Sequence, residues 1–243
     1  MELTLNRKNS SCVGLFGCVG KYGLVCNVGV GGTVSGIWNV GGVVGMSDGT
    51  VSNCYNMGAA SGKGYVGGVV GWSYGAVSNC YNTGNVSGRG NSVGGIAGEI
   101  WGTVSNCHNT GVVIGREETA GIAGRFSGSM NNCYNSGDIT GTDRVGGMIG
   151  RFNGGTVTNC YNVGKVEGNE DVGAVVGEIF SKSTVGNCYY LTGTADSGIG
   201  SGSGSDVTGQ AKIRTEAVMK TSGFVEELNS DFEADSFMAD PAN

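Results

Sequence analysis

Proline occurs once in 243 residues and histidine once, and each shortage removes a class of explanation. A single proline excludes collagen and proline-rich linkers as the reason for 50 glycines. A lone histidine, His108, gives no ligand set for a His-based metal site. Positive charge is also scarce. With 14 Lys and Arg against 20 Asp and Glu, a net charge of -6 and a pI near 4.8, there is no basic stripe to neutralise phosphates. Neither nucleic acid nor an anionic membrane surface is an expected partner. No apolar run approaches the roughly 20 residues that span a bilayer, so membrane insertion by this chain is not expected. Met1 to Ser11 holds no apolar stretch like the centre of a signal peptide.

What the chain does have is valine, glycine and a period. Hydrophobic residues reach 39%, too apolar and too β-branched for a disordered low-complexity chain, so a packed core is expected. The phrase Val-Gly-Gly-x-x-Gly, with small variations, begins at Val40, Val66, Val93, Thr119, Val145 and Val172, and a shortened form, Val13-Gly14-Leu15-Phe16-Gly17, precedes them. A second phrase, close to Thr-Val-Ser-Asn-Cys-Tyr-Asn, places cysteines at Cys26, Cys54, Cys80, Cys107, Cys133, Cys160 and Cys188. A third and weaker one includes Val34-Ser35-Gly36, Val86-Ser87-Gly88 and Ile139-Thr140-Gly141. Three short β-prone pieces per 26 to 27 residues are too brief for a stable meander, but they suit a coil whose every turn pairs with the turns above and below.

The expected fold is therefore all-β: a parallel β-helix, or β-solenoid, of about seven coils over residues 1–193, right-handed and three-sided. A Gly/Ser-rich linker would occupy 194–209, and a short α-helical C-terminal cap with an acidic tail 210–243. Leu3-Thr4-Leu5 alternates weakly and would pair with the first coil, and Asp231 to Asn243 is expected to fray. In such a stack like side chains lie over like. The expected columns are the seven cysteines, the amides Asn53, Asn79, Asn106, Asn132, Asn159 and Asn187, and the rings Tyr55, Tyr81, Tyr134, Tyr161 and Tyr189.

The phrases Val13-Gly14-Leu15-Phe16-Gly17, Val40-Gly41-Gly42-Val43-Val44-Gly45 and Asn79-Cys80-Tyr81-Asn82-Thr83-Gly84 resemble the GLUG motif, over about residues 13 to 193. That motif occurs in tandem in bacterial surface adhesins and in IgA-specific metallopeptidases. The resemblance thus implies an extracellular or surface-attached array, one segment of a longer polypeptide. The tail around Met219-Lys220 and Phe224-Val225-Glu226-Glu227-Leu228-Asn229 is similar to the segment that closes such arrays. The peptidase relatives use a zinc site with His-Glu-x-x-His. One histidine cannot supply it, and nothing catalytic carries over.

The same period disposes of most candidate chemistry. His108 falls in the tyrosine column between Tyr81 and Tyr134, as one aromatic replacing another. The seven cysteines read as a structural ladder of small buried hydrophobes, without the C-x-x-C spacing of a metal site; Cys12 and Cys18, outside the ladder, are the pair expected to bridge. Glu117, Glu118, Asp143, Arg144, Glu167, Glu170 and Asp171 read as a solvated rim. No metal or other cofactor is expected, and the chain reads as no enzyme. Cross-coil ion pairs are expected for Glu99 with Arg125 and for Arg151 with Glu178.

One candidate binding site survives, an aromatic stripe of Trp72, Tyr74, Trp101, Phe126, Phe152 and Phe180. The expected function is a non-enzymatic structural or adhesive repeat of a bacterial surface or secreted protein. The alternative is a carbohydrate- or host-protein-binding face along that stripe, and a more distant one a β-helix polysaccharide lyase or hydrolase.

Overall fold

Val13, Val40, Val66, Val93, Thr119, Val145 and Val172 lie over one another in the structure, a computed structural model that describes residues 2–7, 9–202, 207–208 and 211–230. Each coil feeds five strand columns where three pieces were expected. In the second coil these are Trp38–Gly41, Val44–Ser47, Thr50–Ser52, Tyr55–Asn56 and Ala59–Gly62. All pair in parallel with their counterparts one coil away, as Val70 does with both Val44 and Ala97.

The inward residues form two separate cores. One is enclosed by the second and third columns and the cysteine turn: Val44, Val70, Ala97, Ala123, Ile149 and Val176 face Val51, Val77, Val104, Met130, Val157 and Val185. The other lies between the first and fifth columns, where Val40, Val66, Val93 and Val145 meet Val34, Ala60, Val86, Val113, Ile139 and Val166. β-branched side chains repeated in register are what lets so thin a section exclude water.

Between the two cores the chain narrows to a waist, and here a glycine is sterically required. A Cβ on Gly95 would stand 2.2 Å from the Gly121 carbonyl oxygen and 2.4 Å from the Asn109 amide carbon. The Val-Gly-Gly phrase is therefore the signature of the waist rather than of a phosphate loop.

The stack runs to about eight turns. Ile199–Gly202 continues the second column on Val176–Ile179, Val207–Thr208 the third on 183–184, and Lys212–Arg214 the fourth on 189–191. The segment expected as a linker thus holds strands of the stack. Parallel pairing needs only extended backbone and an open edge above, which Ile199-Gly200-Ser201-Gly202 supplies without the repeat phrase. At about 4.8 Å per coil the rod is about 35 Å long.

At the N-terminal end Glu2–Asn6 pairs with 31–35, as the alternation of Leu3 to Leu5 suggested. At the other end α1 (Glu216–Met219) and α2 (Ser222–Asn229) follow, with Thr221 capping α2 by accepting a 3.2 Å bond from the Phe224 backbone. Phe224 and Leu228 are buried against Tyr189. Asp231 to Asn243, expected to fray, lies outside the described residues.

Candidate functional site: two outward columns beside the waist

Three ladders belong to the scaffold. The amide ladder is not the one expected. Asn53, Asn79 and their counterparts adopt positive φ, 52° in both, and serve as left-handed turn residues, a conformation asparagine tolerates best among non-glycines. Of their amides, Asn106 Nδ2 does donate to Asn79 Oδ1 at 3.1 Å, at an exposed position. The continuous ladder is built by the next asparagine, three residues on: Asn56, Asn82, Asn109, Asn135 and Asn162. All five are buried at the waist, each Nδ2 donating to the next Oδ1 at 2.7 or 2.8 Å. The same nitrogens donate to the carbonyl two residues on, for example Asn109 to Gly111 at 2.8 Å.

Six cysteines from Cys54 to Cys188 are buried, and Cys26 is partly so. Each buried thiol donates to the carbonyl two residues back, across the asparagine turn, at 3.1 to 3.3 Å. Burial pushes the Cys107 and Cys160 thiols well up, so they stay protonated and unreactive. The rings of Tyr55, Tyr81, His108, Tyr134 and Tyr161 stack at 4.7 to 5.2 Å, within 5° of parallel. His108 is a member of this column, its imidazole held below the usual range by burial. Tyr189, next in register, is fully buried under α2, with the Phe224 ring edge-on at 5.2 Å.

Outside the waist, where the first and second columns meet, two further columns face each other, and these do not repeat. One runs Cys12, Asn39, Tyr65, Ser92, Glu118, Arg144, Asp171; all seven have positive φ, between 49° and 56°. Its counterpart runs Cys18, Met46, Trp72, Glu99, Arg125, Arg151, Glu178, Ser201. A Cβ on Gly98 would stand 2.4 Å from the Tyr65 carbonyl carbon, so the glycine between the columns brings them together. The two make a furrow along the rod.

Its chemistry changes from end to end. In the first coil the Cys12 and Cys18 thiols are neighbours, both free rather than bridged as expected, and burial with the adjoining Cys12 raises the Cys18 thiol. In coils four to seven the furrow is an ion network. Glu118, expected in a solvated rim, is 1% exposed: it accepts from Ser92 Oγ and from Arg125 at 2.6 Å, with Arg144 and Arg151 each at 3.5 Å. The expected pairs are present within it, Arg125 with Glu99 at 4.0 Å and Arg151 with Glu178 at 3.2 Å. Glu117, Asp143 and Arg144 join its edge, while Glu167 pairs separately with Lys165. The left-handed backbone at Glu118 turns that side chain into the furrow, which spacing alone does not reveal.

Strand alternation divides the aromatic stripe. Phe126 and Phe152 are fully buried in the first core, their rings 5.6 Å apart, and cannot meet a ligand. Tyr74, Trp101 and Phe180 point outward at 50%, 44% and 59% exposure, with Trp72 half-buried between. Phe180 stands apart, its ring 4.0 Å from the Arg151 guanidinium. Trp72 and Tyr74 are joined by Trp38 and Tyr65, which the sequence reading missed. Trp38 to Tyr65, Tyr65 to Trp72 and Trp72 to Tyr74 are in ring contact at 5.7, 6.3 and 4.7 Å. Trp101 Nε1 donates to Glu99, a carboxylate only 5% exposed that burial pushes above the usual range. The signal for Tyr65 was its place seven residues before Trp72, the spacing that separates Glu118 from Arg125.

Among the described residues there is no group of three or more His, Cys, Asp and Glu placed to hold a metal, and no helix long and apolar enough to cross a membrane. Comparison with curated proteins returned no match. A solved structure described as a "putative immunoglobulin A1 protease from Bacteroides ovatus" is similar in fold, with a TM-score of 0.58 and 18% identity over 84% of this chain and 74% of that one. The family model of the GLUG motif matches residues 62–87, one coil from the end of one fifth-column strand to the middle of the next. That matched unit repeats in register along the rod, so a GLUG motif at residues 62–87 sits within a parallel β-solenoid fold.

Proposed function

We propose that the chain is a non-enzymatic structural and adhesive module, a stiff rod within a secreted or surface-attached bacterial protein. One observation carries the reading: five strand columns stay paired through seven turns, with one bulge after Phe126, and three of them continue into an eighth, around two continuous cores. Coils so joined cannot bend independently, because every hinge between them would break five strand pairings and the amide ladder together. Support for the secreted or surface context comes from the GLUG motif, and from a structural neighbour whose name is that of a protease acting on an immunoglobulin. Against catalysis by this chain stand the uniform short turns, which wall no cleft, and the engagement of His108 in a ring stack.

The test places the chain between two fluorescent domains. Energy transfer should report one narrow separation that does not change with ionic strength, and purified chain should cleave neither polysaccharides nor immunoglobulin A1. A broad, salt-dependent separation would remove the rod; turnover that tracks the chain would remove the non-enzymatic reading.

A further inference from the structure

We propose that Trp38, Tyr65, Trp72, Tyr74 and Trp101, grouped around the Glu99 carboxylate over coils two to four, bind a neutral β-linked glycan. The proposal rests on the adhesive half of the function above and can fail while the rod stands.

Three observations converge on this patch. First, the rings are outside although the fold has room for rings within: Trp38, Tyr74 and Trp101 are 43%, 50% and 44% exposed, while Phe126 and Phe152 at neighbouring levels are fully buried. Rings that only filled space would be covered. Instead Trp38, Tyr65, Trp72 and Tyr74 form one run of ring contacts, and Trp101 stands one coil beyond Tyr74, one residue past the Ser73–Ile100 register pair. That step, about 4.8 Å, is comparable with the length of one pyranose unit in an extended β-linked chain. Successive sugars can then lay their apolar faces on successive rings.

Second, Tyr65 has φ of 53°. In the turn column of the cysteine phrase every such position is asparagine, which relieves the left-handed strain. At Tyr65, as at the other six members of its own column, the fold imposes that φ whatever the residue. Here it aims the ring between Trp38 and Trp72.

Third, the polar groups suit hydroxyls rather than a charged sugar. The carboxylate nearest the rings, Glu99, is 5% exposed and accepts from Trp101 Nε1. The neighbouring cation, Arg125, is already engaged by Glu118 and Glu99. A carboxylated or sulfated sugar would approach the Glu99 charge with its positive partner in use, whereas a neutral pyranose brings no charge to be repelled. Aromatic faces with a few placed hydrogen-bonding groups are the ordinary composition of a sugar site.

The experiment titrates the purified chain with cello-, xylo-, manno-, laminari- and chitohexaose and with polygalacturonate, following tryptophan fluorescence and heat. Saturable binding to at least one neutral hexamer is expected. Trp101→Ala and Tyr74→Ala should each weaken it about tenfold, with the circular dichroism spectrum and melting curve retained; Phe180→Ala should leave it unchanged. The proposal is overturned if no neutral hexamer binds at millimolar concentration. It is equally overturned if binding survives Trp101→Ala in the folded protein, or if polygalacturonate alone binds.

Discussion

Replacing Asn109 by Ala cuts the amide ladder at its middle rung, and the structure sets the size of the effect. Asn109 Nδ2 donates to the Gly111 carbonyl and to Asn135 Oδ1, both at 2.8 Å, and its Oδ1 accepts from Asn82 Nδ2 at 2.8 Å. The site is fully buried, so water does not replace these partners. At about 1–1.5 kcal/mol for each lost bond, the loss is about 3–4 kcal/mol. Asn82 Nδ2 keeps its second acceptor, the Gly84 carbonyl at 2.7 Å, which holds the loss from going higher. Asn162 ends the ladder. It shares one amide-amide bond, with Asn135, but its Oδ1 also accepts from the Gly164 backbone at 3.2 Å and its Nδ2 donates to the Gly164 carbonyl, so Asn162→Ala should lose a comparable amount. Urea unfolding followed by circular dichroism measures both, and hydrogen exchange at Gly95 and Gly121 reports whether the waist opens locally. Asn109→Asp adds a discriminating control, because a carboxylate still accepts from Asn82 but offers no proton to Asn135 or Gly111. Its buried carboxyl is expected to titrate high, so stability should be lowest at neutral pH and recover as pH falls and the group protonates. Asn109→Ala within about 1 kcal/mol of the parent would refute the ladder as a stabilising element.

Gly95→Ala should abolish folding or lower the melting temperature by many degrees, because its Cβ has no room at the waist, whereas Gly20→Ala, with nothing within 4 Å, should melt like the parent. Phe126→Ala should cost about 3–5 kcal/mol in urea unfolding and Trp101→Ala under about 1 kcal/mol; equal losses would contradict the division of the stripe into inward and outward rings. His108 has a folded-state pKa below its unfolded value, so the unfolded chain binds the proton first and stability is lost as pH falls through about 6.5. His108→Tyr should therefore reduce the drop in melting temperature between pH 7 and 5, and an unchanged drop would place its origin elsewhere. Native alkylation with iodoacetamide, read by mass spectrometry, should modify Cys18 and Cys12 before any of the six cysteines from Cys54 to Cys188.

Period and composition made the scaffold legible because the interactions that define it recur. A valine every 26 or 27 residues, facing inward in every coil, can be read without coordinates, as can the tyrosine column with His108 in it. The two asparagines of the repeated phrase could not be told apart by period, since both recur equally. What separates them is backbone: Asn106 turns left-handed and faces out, while Asn109 falls on a strand and faces the waist. Alternation along a strand, a period of two inside the period of 26, likewise decides that Phe126 is core and Trp101 surface. The eighth turn was hidden for the opposite reason, because 199–202 pairs through its backbone and needs no repeated side chain.

A solenoid whose internal columns are nearly uniform makes any non-uniform column informative. Valine, cysteine, asparagine and tyrosine recur because each sits against copies of itself, so a change in one coil is felt in the two beside it. The furrow escapes that constraint, since its side chains meet across two columns as well as along them. It can therefore hold thiols in the first coil, rings in the third and an ion network in the fourth to seventh, without disturbing either core. The ion network has few free groups left for a partner. Glu118 alone engages three guanidiniums, and the two expected pairs are drawn into the same cluster. The rings differ: Trp38, Tyr74 and Trp101 leave nearly half their surface to solvent, with Tyr65 and Trp72 partly buried between Trp38 and Tyr74. On one furrow, then, the charged side chains of coils four to seven pair with one another, while coils two to four carry the exposed rings on which the proposed glycan contact rests.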